Sequence, residues 1–292
     1  MKIVIVYISP NGTTRRTIRE MGKRFISDGH EFTEFDIGRN GNRELSGVDW
    51  NVFKGADLIG IAGPIYHLRL FHTLERFLEG ALPRIRELNG TASGDGKSGG
   101  IRAFIVITYA GISSGTALLN TARLLRNNGI PLAGAMKVRA PHFWQAEGYP
   151  DEETRKLIIA FHDRLRGKDF RPIPWKQVRR ELSHRKPVIR LIYPFSGIIG
   201  KKRNQPIRIN GERCAACGRC VRECPVGAIA MESGDSGDAR IYRGASKCAY
   251  CYHCVTACPH SAVLCDIEKV KGIVEFNKKI VGLEQPPSRI FV

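Results

Sequence analysis

The sequence predicts an α/β protein of two unequal domains, a doubly wound parallel sheet followed by a small α+β unit. Strand-like apolar runs alternate with amphipathic helical segments through residues 1–167, a pattern typical of a parallel sheet covered by helices on both faces. Farther along, eight of the nine cysteines fall into two runs of identical spacing. The 292 residues are enough for one domain of ordinary size and one small one.

Five apolar or β-branched runs are the predicted strands of the larger domain. The first, KIVIVYI, and the fourth, IRAFIVI, are continuous, as expected for strands buried on both faces. The second is predicted to lie at an edge of the sheet. The strands are predicted over residues 2–8, 31–37, 57–62, 101–107 and 132–138.

Four helical segments connect and follow these strands. The first follows the polar loop 9–14 and places Ile18, Met21 and Phe25 on one face, and the last begins at an acidic turn near Asp151 and ends at Gly167. The two middle helices have apolar residues at helical spacing, at Leu70, Leu74, Phe77 and Leu78, and at Leu118, Ala122 and Leu125.

Three loops of this domain are predicted to form a ligand site. Ligands of parallel α/β sheets bind beyond the carboxyl ends of the strands, where the loops 9–14, 63–69 and 108–115 would meet. The first loop is rich in hydroxyl groups and glycine and precedes a helix, so its backbone N–H groups could hold an anion such as a phosphate. A plain capped turn is the alternative for this loop alone.

The connector carries the excess positive charge of the chain. Residues 168–208 contain 12 basic and two acidic side chains, including a helix-like segment, WKQVRRELSHRK, and an apolar stretch at 187–200 followed by basic residues 201–203. Because the charge is local, it argues against general nucleic-acid binding. We expect the apolar residues to hold the two domains together, and contact with an anionic membrane surface is the less favoured alternative.

The cysteine runs have the spacing C-x-x-C-x-x-C-x-x-x-C-P, beginning at Cys214 and Cys248. At this spacing three thiolates of a run bind one 4Fe-4S cluster and the fourth binds the other cluster. The predicted ligands are Cys214, Cys217, Cys220 and Cys258 for the first cluster, and Cys248, Cys251, Cys254 and Cys224 for the second. Zinc and disulfides are the alternatives, but two complete runs, each closed by proline, favour iron–sulfur.

Two further features follow from the cysteines and the N-terminus. Cys265 lies outside both runs and is predicted to pack as a small apolar side chain. Eight thiolates kept for metal indicate a reducing compartment. The apolar run Ile3 to Ile8 is too short for a secretory signal, so a cytoplasmic location is expected.

With these motifs the chain resembles the flavodoxin/ferredoxin fusion proteins of anaerobes over nearly its whole length. The resemblance implies a flavodoxin-like doubly wound parallel five-stranded sheet that binds FMN, and a small α+β bacterial-ferredoxin domain with two 4Fe-4S clusters. Matches to the family's three flavin loops are Ser9, Gly12 and Thr14, then Pro64, Tyr66 and Arg69, and finally Tyr109 and Gly111. Departures are Asn11 in place of a threonine, and His67 and Leu68 in place of small residues.

The resemblance also implies a set of flavin contacts. The implied FMN contacts are Ser9, Asn11, Gly12, Thr13, Thr14, Pro64, Ile65, Tyr66, His67, Thr108, Tyr109 and Gly111. The segment 140–144 is expected to close over the flavin. There His142 could bind a reduced flavin, although a histidine satisfied within its loop is favoured, and Trp144 is expected to pack between the domains.

The domain boundaries and function follow from these predictions. We predict a flavodoxin-like domain at 1–167, a connector at 168–206, a ferredoxin domain at 207–270 and a C-terminal tail at 271–292. The predicted function is single-electron transfer between the two clusters and bound FMN, with no catalytic residue.

Two other functions stay open, a flavin-dependent reductase of a quinone-like molecule fed by the clusters, and a ferredoxin whose flavodoxin-like domain only docks a partner. The expected partner is a redox protein, an acidic ferredoxin or an oxidoreductase, rather than nucleic acid. A homodimer also stays open.

Overall fold

The structure is a computed structural model. It describes residues 1–38, 44–90, 100–166, 173–183, 204–233, 239–243 and 248–291. The predicted apolar stretch 187–200 and basic residues 201–203 of the connector lie outside the described residues. No helix within the described ranges is both long and apolar enough to cross a membrane.

The first domain is built on a parallel sheet. Its strands are β1 (Lys2–Tyr7), β2 (Glu31–Asp36), β3 (Leu58–Tyr66), β4 (Arg69–Leu70), β5 (Arg102–Tyr109) and β6 (Leu132–Arg139). The parallel strands follow the order β2-β1-β3-β5-β6, and the short β4 pairs antiparallel with the end of β3. Counting the parallel strands alone, this is the 2-1-3-4-5 order of the flavodoxin-like fold. The predicted fold class is confirmed.

Helices cover both faces of this sheet, as the alternating pattern predicts. The helices are α1 (Thr13–Ser27), α2 (His72–Asn89), α3 (Ala117–Asn127), α4 (Glu152–Leu165) and α5 (Trp175–Leu182). Buried residues of α2, α3 and α5 share one apolar core with the sheet, whereas α1 and α4 pack on the opposite face. The helix-like start of the connector is therefore α5, and its Val178 and Leu182 are buried against the first domain.

The second domain consists of short elements around the cysteine runs. They are β7 (Arg208–Ile209), α6 (Arg219–Arg222), β8 (Ile229–Ser233), β9 (Ala239–Arg243), α7 (His253–Ala257), β10 (Val263–Leu264) and α8 (Ile267–Val281). Strand β7 pairs antiparallel with β10, and β8 pairs antiparallel with β9. Each cysteine run thus leads into a short helix and then a strand, so the two runs share local structure as well as spacing.

The C-terminal part of the chain returns to the first domain. Helix α8 spans the predicted boundary at residue 270, and β11 (Arg289–Phe291) pairs antiparallel with β6 at the edge of the parallel sheet. The predicted five-stranded sheet therefore gains an antiparallel edge strand from the predicted tail. Phe291 is buried in the core shared with α2 and α3.

Candidate functional site

A cavity of about 240 Å³ lies at the carboxyl ends of the parallel strands. Its walls combine the three loops predicted to bind FMN, the segment 140–144, residues 250–252 of the second cysteine run and one face of α8. Most of the predicted flavin contacts line it, namely Asn11, Thr13, Thr14, Pro64, Ile65, Tyr66, His67, Thr108 and Tyr109. Ser9, Gly12 and Gly111 are not among the lining residues. Whether any of these residues contacts FMN stays a prediction.

The first loop begins α1 with a left-handed turn. Gly12 has φ 78°, a conformation that glycine adopts without strain. The backbone N–H of Arg15 donates to the Ser9 hydroxyl at 3.0 Å, so this hydroxyl satisfies one of the free N–H groups at the start of α1. The Thr14 hydroxyl is buried and hydrogen-bonds that of Thr108 at 2.7 Å, which fixes the first and third loops to each other.

Asn11 connects the first loop to the second domain. Its Nδ2 donates to the backbone carbonyl of Cys251 at 3.1 Å and to the Tyr66 hydroxyl at 3.4 Å. Its Oδ1 is buried and has no hydrogen-bond partner among the described residues. Burial raises the pKa of Tyr66 well above its usual value, with Cys251 as the next cause. This loop, the second loop and the second cysteine run therefore meet at one point.

The second loop departs from the family where two residues take left-handed conformations. His67 has φ 50° and Leu68 has φ 65°, a region that costs roughly 1–2 kcal/mol for residues with a Cβ. The Leu68 carbonyl accepts a hydrogen bond from the Thr116 N–H at 3.1 Å. A Cβ at Gly115 would lie 1.9 Å from that carbonyl oxygen, so glycine is required there. The strained turn is thus held against the third loop.

The third loop is held by residues 282–291, which we call the C-terminal strap. The Tyr109 hydroxyl donates to the Pro287 carbonyl at 2.5 Å, and the Glu284 N–H donates to the Gly111 carbonyl at 2.9 Å. The Glu284 carboxylate accepts hydrogen bonds from the Ser114 hydroxyl and from Lys137 Nζ, both at 2.7 Å. Lys137 is only 3% exposed. A buried ion pair therefore joins the strap to β6, and the Ser114 bond joins it to the third loop.

His142 has an unsatisfied nitrogen at the cavity. Its ring lies parallel to Trp144 with centroids 4.4 Å apart, and its buried Nε2 has no hydrogen-bond partner in the described part of the chain. Burial, with Lys278 as the next cause, lowers the pKa of His142 to about 4, so the imidazole is neutral at pH 7. The sequence favours a His142 side chain that is hydrogen-bonded within its own loop, but its Nε2 makes no such bond. Trp144 packs against the second domain, as expected.

The cysteines gather in two groups in the second domain. Burial is the main cause that raises the pKa of Cys254. The neighbouring thiols raise it further, in the decreasing order Cys251, Cys224, Cys248 and Cys220. Burial raises the pKa of Cys220 as well, and there the neighbouring thiols are Cys214 and Cys258. These neighbours correspond to the two predicted ligand sets, although ligation itself stays a prediction. Cys265 is half-buried and packs against the same core, as predicted.

Backbone groups around the thiols fit sulfur-ligated clusters. Equivalent N–H groups of the two halves donate to sulfur, from Ala228 to Cys224 Sγ at 3.2 Å and from Ala262 to Cys258 Sγ at 3.3 Å. Such N–H···S bonds tune iron–sulfur clusters. Left-handed residues recur at equivalent positions and curl both loops around the sulfurs, in the pairs Ala216 and Tyr250, Gly218 and Tyr252, and Gly227 and Ser261.

The donor set fits iron–sulfur better than zinc. In the part of the chain that the structure describes, no three His, Cys, Asp or Glu side chains form a group that could hold one metal ion. The fit to 4Fe-4S rests on the repeated cysteine spacing, with each run closed by proline, and on the N–H···S bonds.

Comparison with known proteins gives one family match, in the second domain, and structural likenesses that cover the first domain. Residues 213–262 match the family model described as a 4Fe-4S dicluster domain. No curated protein matches the chain. A flavodoxin from the domain Archaea is 17% identical with a TM-score of 0.41, and the match covers 57% of this chain and 100% of that one.

A second flavodoxin gives a comparable match. Two-electron reduced Megasphaera elsdenii flavodoxin is 15% identical with a TM-score of 0.39, covering 55% and 98% of the two chains. These identities are low, and the strand order of the sheet is what assigns the fold of the first domain.

Proposed function

We propose that this chain, in which a flavodoxin-like domain is fused to a 4Fe-4S dicluster domain, transfers single electrons between two 4Fe-4S clusters and a bound FMN. The observation that carries the proposal is the shared cavity. Its walls include both the predicted flavin loops and Cys251, whose carbonyl is 3.1 Å from Asn11 Nδ2. A predicted cluster ligand and the predicted flavin loops thus border the same space.

The cofactors supply the chemistry when bound, since an iron–sulfur cluster exchanges one electron and a flavin exchanges one or two. The chain itself orients the cofactors and excludes water from the cavity. Three apolar residues of α8 line the cavity, namely Val270, Ile273 and Val274. Tyr66 and Tyr109 offer aromatic rings at the wall, and their pKa values are raised mainly by burial, so both hydroxyls stay protonated at neutral pH.

The proposed order of the redox centres follows from burial. Cys217 of the first ligand set is exposed, whereas Cys251 of the second is buried against the first domain. The second cluster would therefore lie between the flavin and the first cluster, and the first cluster would exchange electrons with a partner. We propose a reducing cytoplasm as the setting, because eight thiolates must remain reduced.

Neither alternative function is favoured. A flavin-dependent reductase would need room for a second substrate beside the flavin, and a cavity of about 240 Å³ is already small for FMN alone, given the roughly 300–1,000 Å³ of typical ligand pockets. A first domain that only docks a partner would not need buried, unsatisfied polar atoms at the cavity wall. Asn11 Oδ1 and His142 Nε2 are two such atoms, and a bound ligand would satisfy them.

The test is an anaerobic count of iron, acid-labile sulfide and flavin per chain, with the flavin identified by chromatography. We expect about eight irons and one FMN. Asn11→Ala should lower the FMN content while the iron content stays near eight, and Asn51→Ala on the far surface is the matched control. Eight irons with no flavin after reconstitution would remove the flavin from the proposal.

A further inference from the structure

The two cysteine runs share their spacing but differ in the charge around them. Exposed arginines flank the first run at Arg213, Arg219 and Arg222. The second run, residues 248–258, contains no Lys, Arg, Asp or Glu. Lys247 precedes the second run where Arg213 precedes the first, so Arg219 and Arg222 are the basic residues that the first run carries and the second lacks.

Arg222 contacts the exposed cysteine, and Arg213 and Arg219 lie within four residues of it in the sequence. Arg222 Nη1 donates to the Cys217 carbonyl at 2.9 Å, and Arg219 Nε donates to Glu223 at 2.9 Å. Met231 is 48% exposed, and a Cβ at Gly218 would lie 3.6 Å from its terminal methyl carbon. We call the surface formed by Arg213, Cys217, Arg219, Arg222 and Met231 the outer face. It has an exposed ligand at its centre, an apolar contact and a basic rim.

We propose that the outer face docks an acidic one-electron carrier protein, and this rests on the proposed function. An oxidised 4Fe-4S cluster with four thiolates carries a charge of about −2, which alone would repel an acidic carrier. Arg213, Arg219 and Arg222, set against Glu212 and Glu223, lessen that repulsion and offer cationic partners for carboxylates of the carrier beside Cys217. A second copy of this chain is the less suitable occupant, because it carries the same formal charge of +18.

The transfer at this face is an outer-sphere exchange. One electron leaves the reduced centre of the carrier, which is oxidised by one electron, and the first cluster is reduced by one electron. No covalent bond forms or breaks, and the carrier is the only co-reactant. The apolar Met231 would contribute dry contact area beside the ligand, while the arginines would pair with carboxylates of the carrier.

The test uses the holoprotein and a purified acidic two-cluster ferredoxin as the carrier. Arg213→Glu reverses one charge of the outer face, and the Arg213 backbone N–H bond to Asn210 does not depend on its side chain. Arg76→Glu on the exposed surface of α2 is the matched control. Affinity is measured by biolayer interferometry with both proteins oxidised. The reduction rate is measured by stopped flow at low and high ionic strength.

We expect Arg213→Glu to weaken binding and slow reduction by the ferredoxin roughly five- to tenfold at low salt, with a smaller difference at 0.5 M salt. Arg76→Glu should match the wild type. Equal affinities for the two variants would overturn the docking proposal. Reduced methyl viologen, a small cation that needs no docking face, should still reduce the Arg213→Glu protein. If viologen reduced the clusters but never the flavin in the wild type, the proposed function would fail instead.

Discussion

The two cysteine runs are repeats of one another in spacing and backbone, yet their surroundings are opposite. The loop at 214–220 is exposed and flanked by arginines, whereas the loop at 248–254 is uncharged and packed against the first domain. Spacing determines what each run can bind. The residues between the cysteines determine which side of the domain faces a partner and which faces the cavity.

One equivalent position shows how this difference is built. The first run has Gly218 in a left-handed conformation, and the second has Tyr252 there with φ 58°. A tyrosine in this region is strained by about 1–2 kcal/mol. Its ring lies 5.8 Å from that of Phe143, and its hydroxyl accepts a hydrogen bond from the Gln205 N–H at 3.0 Å. These contacts offset the strain and belong to the interface between the domains.

The largest expected effect separates the two runs directly. Cys251→Ser and Cys217→Ser should each lower the iron content from about eight to about four per chain. Only Cys251→Ser should also abolish flavin reduction by reduced viologen, because it removes the cluster that borders the cavity. Iron analysis and anaerobic stopped-flow spectra measure both effects, with Cys265→Ser as a control that keeps eight irons. Equal flavin reduction in the two variants would remove the proposed difference between the clusters.

Glu284→Gln tests only the part of the protein around the cavity. It leaves Lys137 buried without its carboxylate, which should lower the free energy of unfolding by about 3–5 kcal/mol and weaken FMN binding. Glu268→Gln, at an 81% exposed side chain of α8, is the matched control and should change stability little. Anaerobic thermal unfolding and FMN titration are the measurements. The iron content should stay unchanged, and a parallel loss of iron would mean that the strap supports both halves of the protein.

His142 gives a pH test of the same side. Its pKa is about 4 in the folded protein against 6.5 for an ordinary histidine, so the unfolded chain binds more protons between these values. The free energy of unfolding should therefore fall as the pH decreases below 6.5, by at most about 1.4 kcal/mol per pH unit from this group.

His142→Gln should flatten that dependence and weaken FMN binding. His72→Gln on α2 is the control. Thermal unfolding between pH 5.5 and 7.5 measures the difference, and unchanged slopes in His142→Gln would show that this imidazole is not held neutral.

The smallest expected effect concerns the tyrosine at the interface. Tyr252→Phe removes a hydroxyl that bonds the backbone of Gln205 and should cost about 1 kcal/mol. The equivalent outward position is Gly218, which has no side chain and therefore no such contact to lose. Urea unfolding followed by the loss of cluster absorbance measures this cost. An unchanged midpoint would indicate that the ring alone holds the second run in place.

Much of the fold and part of the site could be predicted from local patterns. Runs such as KIVIVYI and the cysteine spacing identify their own elements, because burial on both faces and metal ligation impose strict residue choices. The Asn11 bond to Cys251 and the Glu284 pair with Lys137 could not be predicted, since they join residues 240 and 147 positions apart. Strand β11 has only three residues, too few for a periodic signal, although the alternation in SRIFV is a weak one.

The pairing of β11 with β6 has a consequence for biosynthesis. About 150 residues separate Arg139 from Arg289, so at roughly 5–20 residues per second the edge of the first sheet would remain open for about 8–30 s during translation. An open edge strand can pair with other chains and aggregate. The segment between these strands carries both cysteine runs, and we expect it to fold when it binds iron. When iron is scarce, the β6 edge of the first sheet would then stay exposed, although this sheet binds no iron itself. The extent of misfolding of the first domain would therefore depend on the supply of clusters.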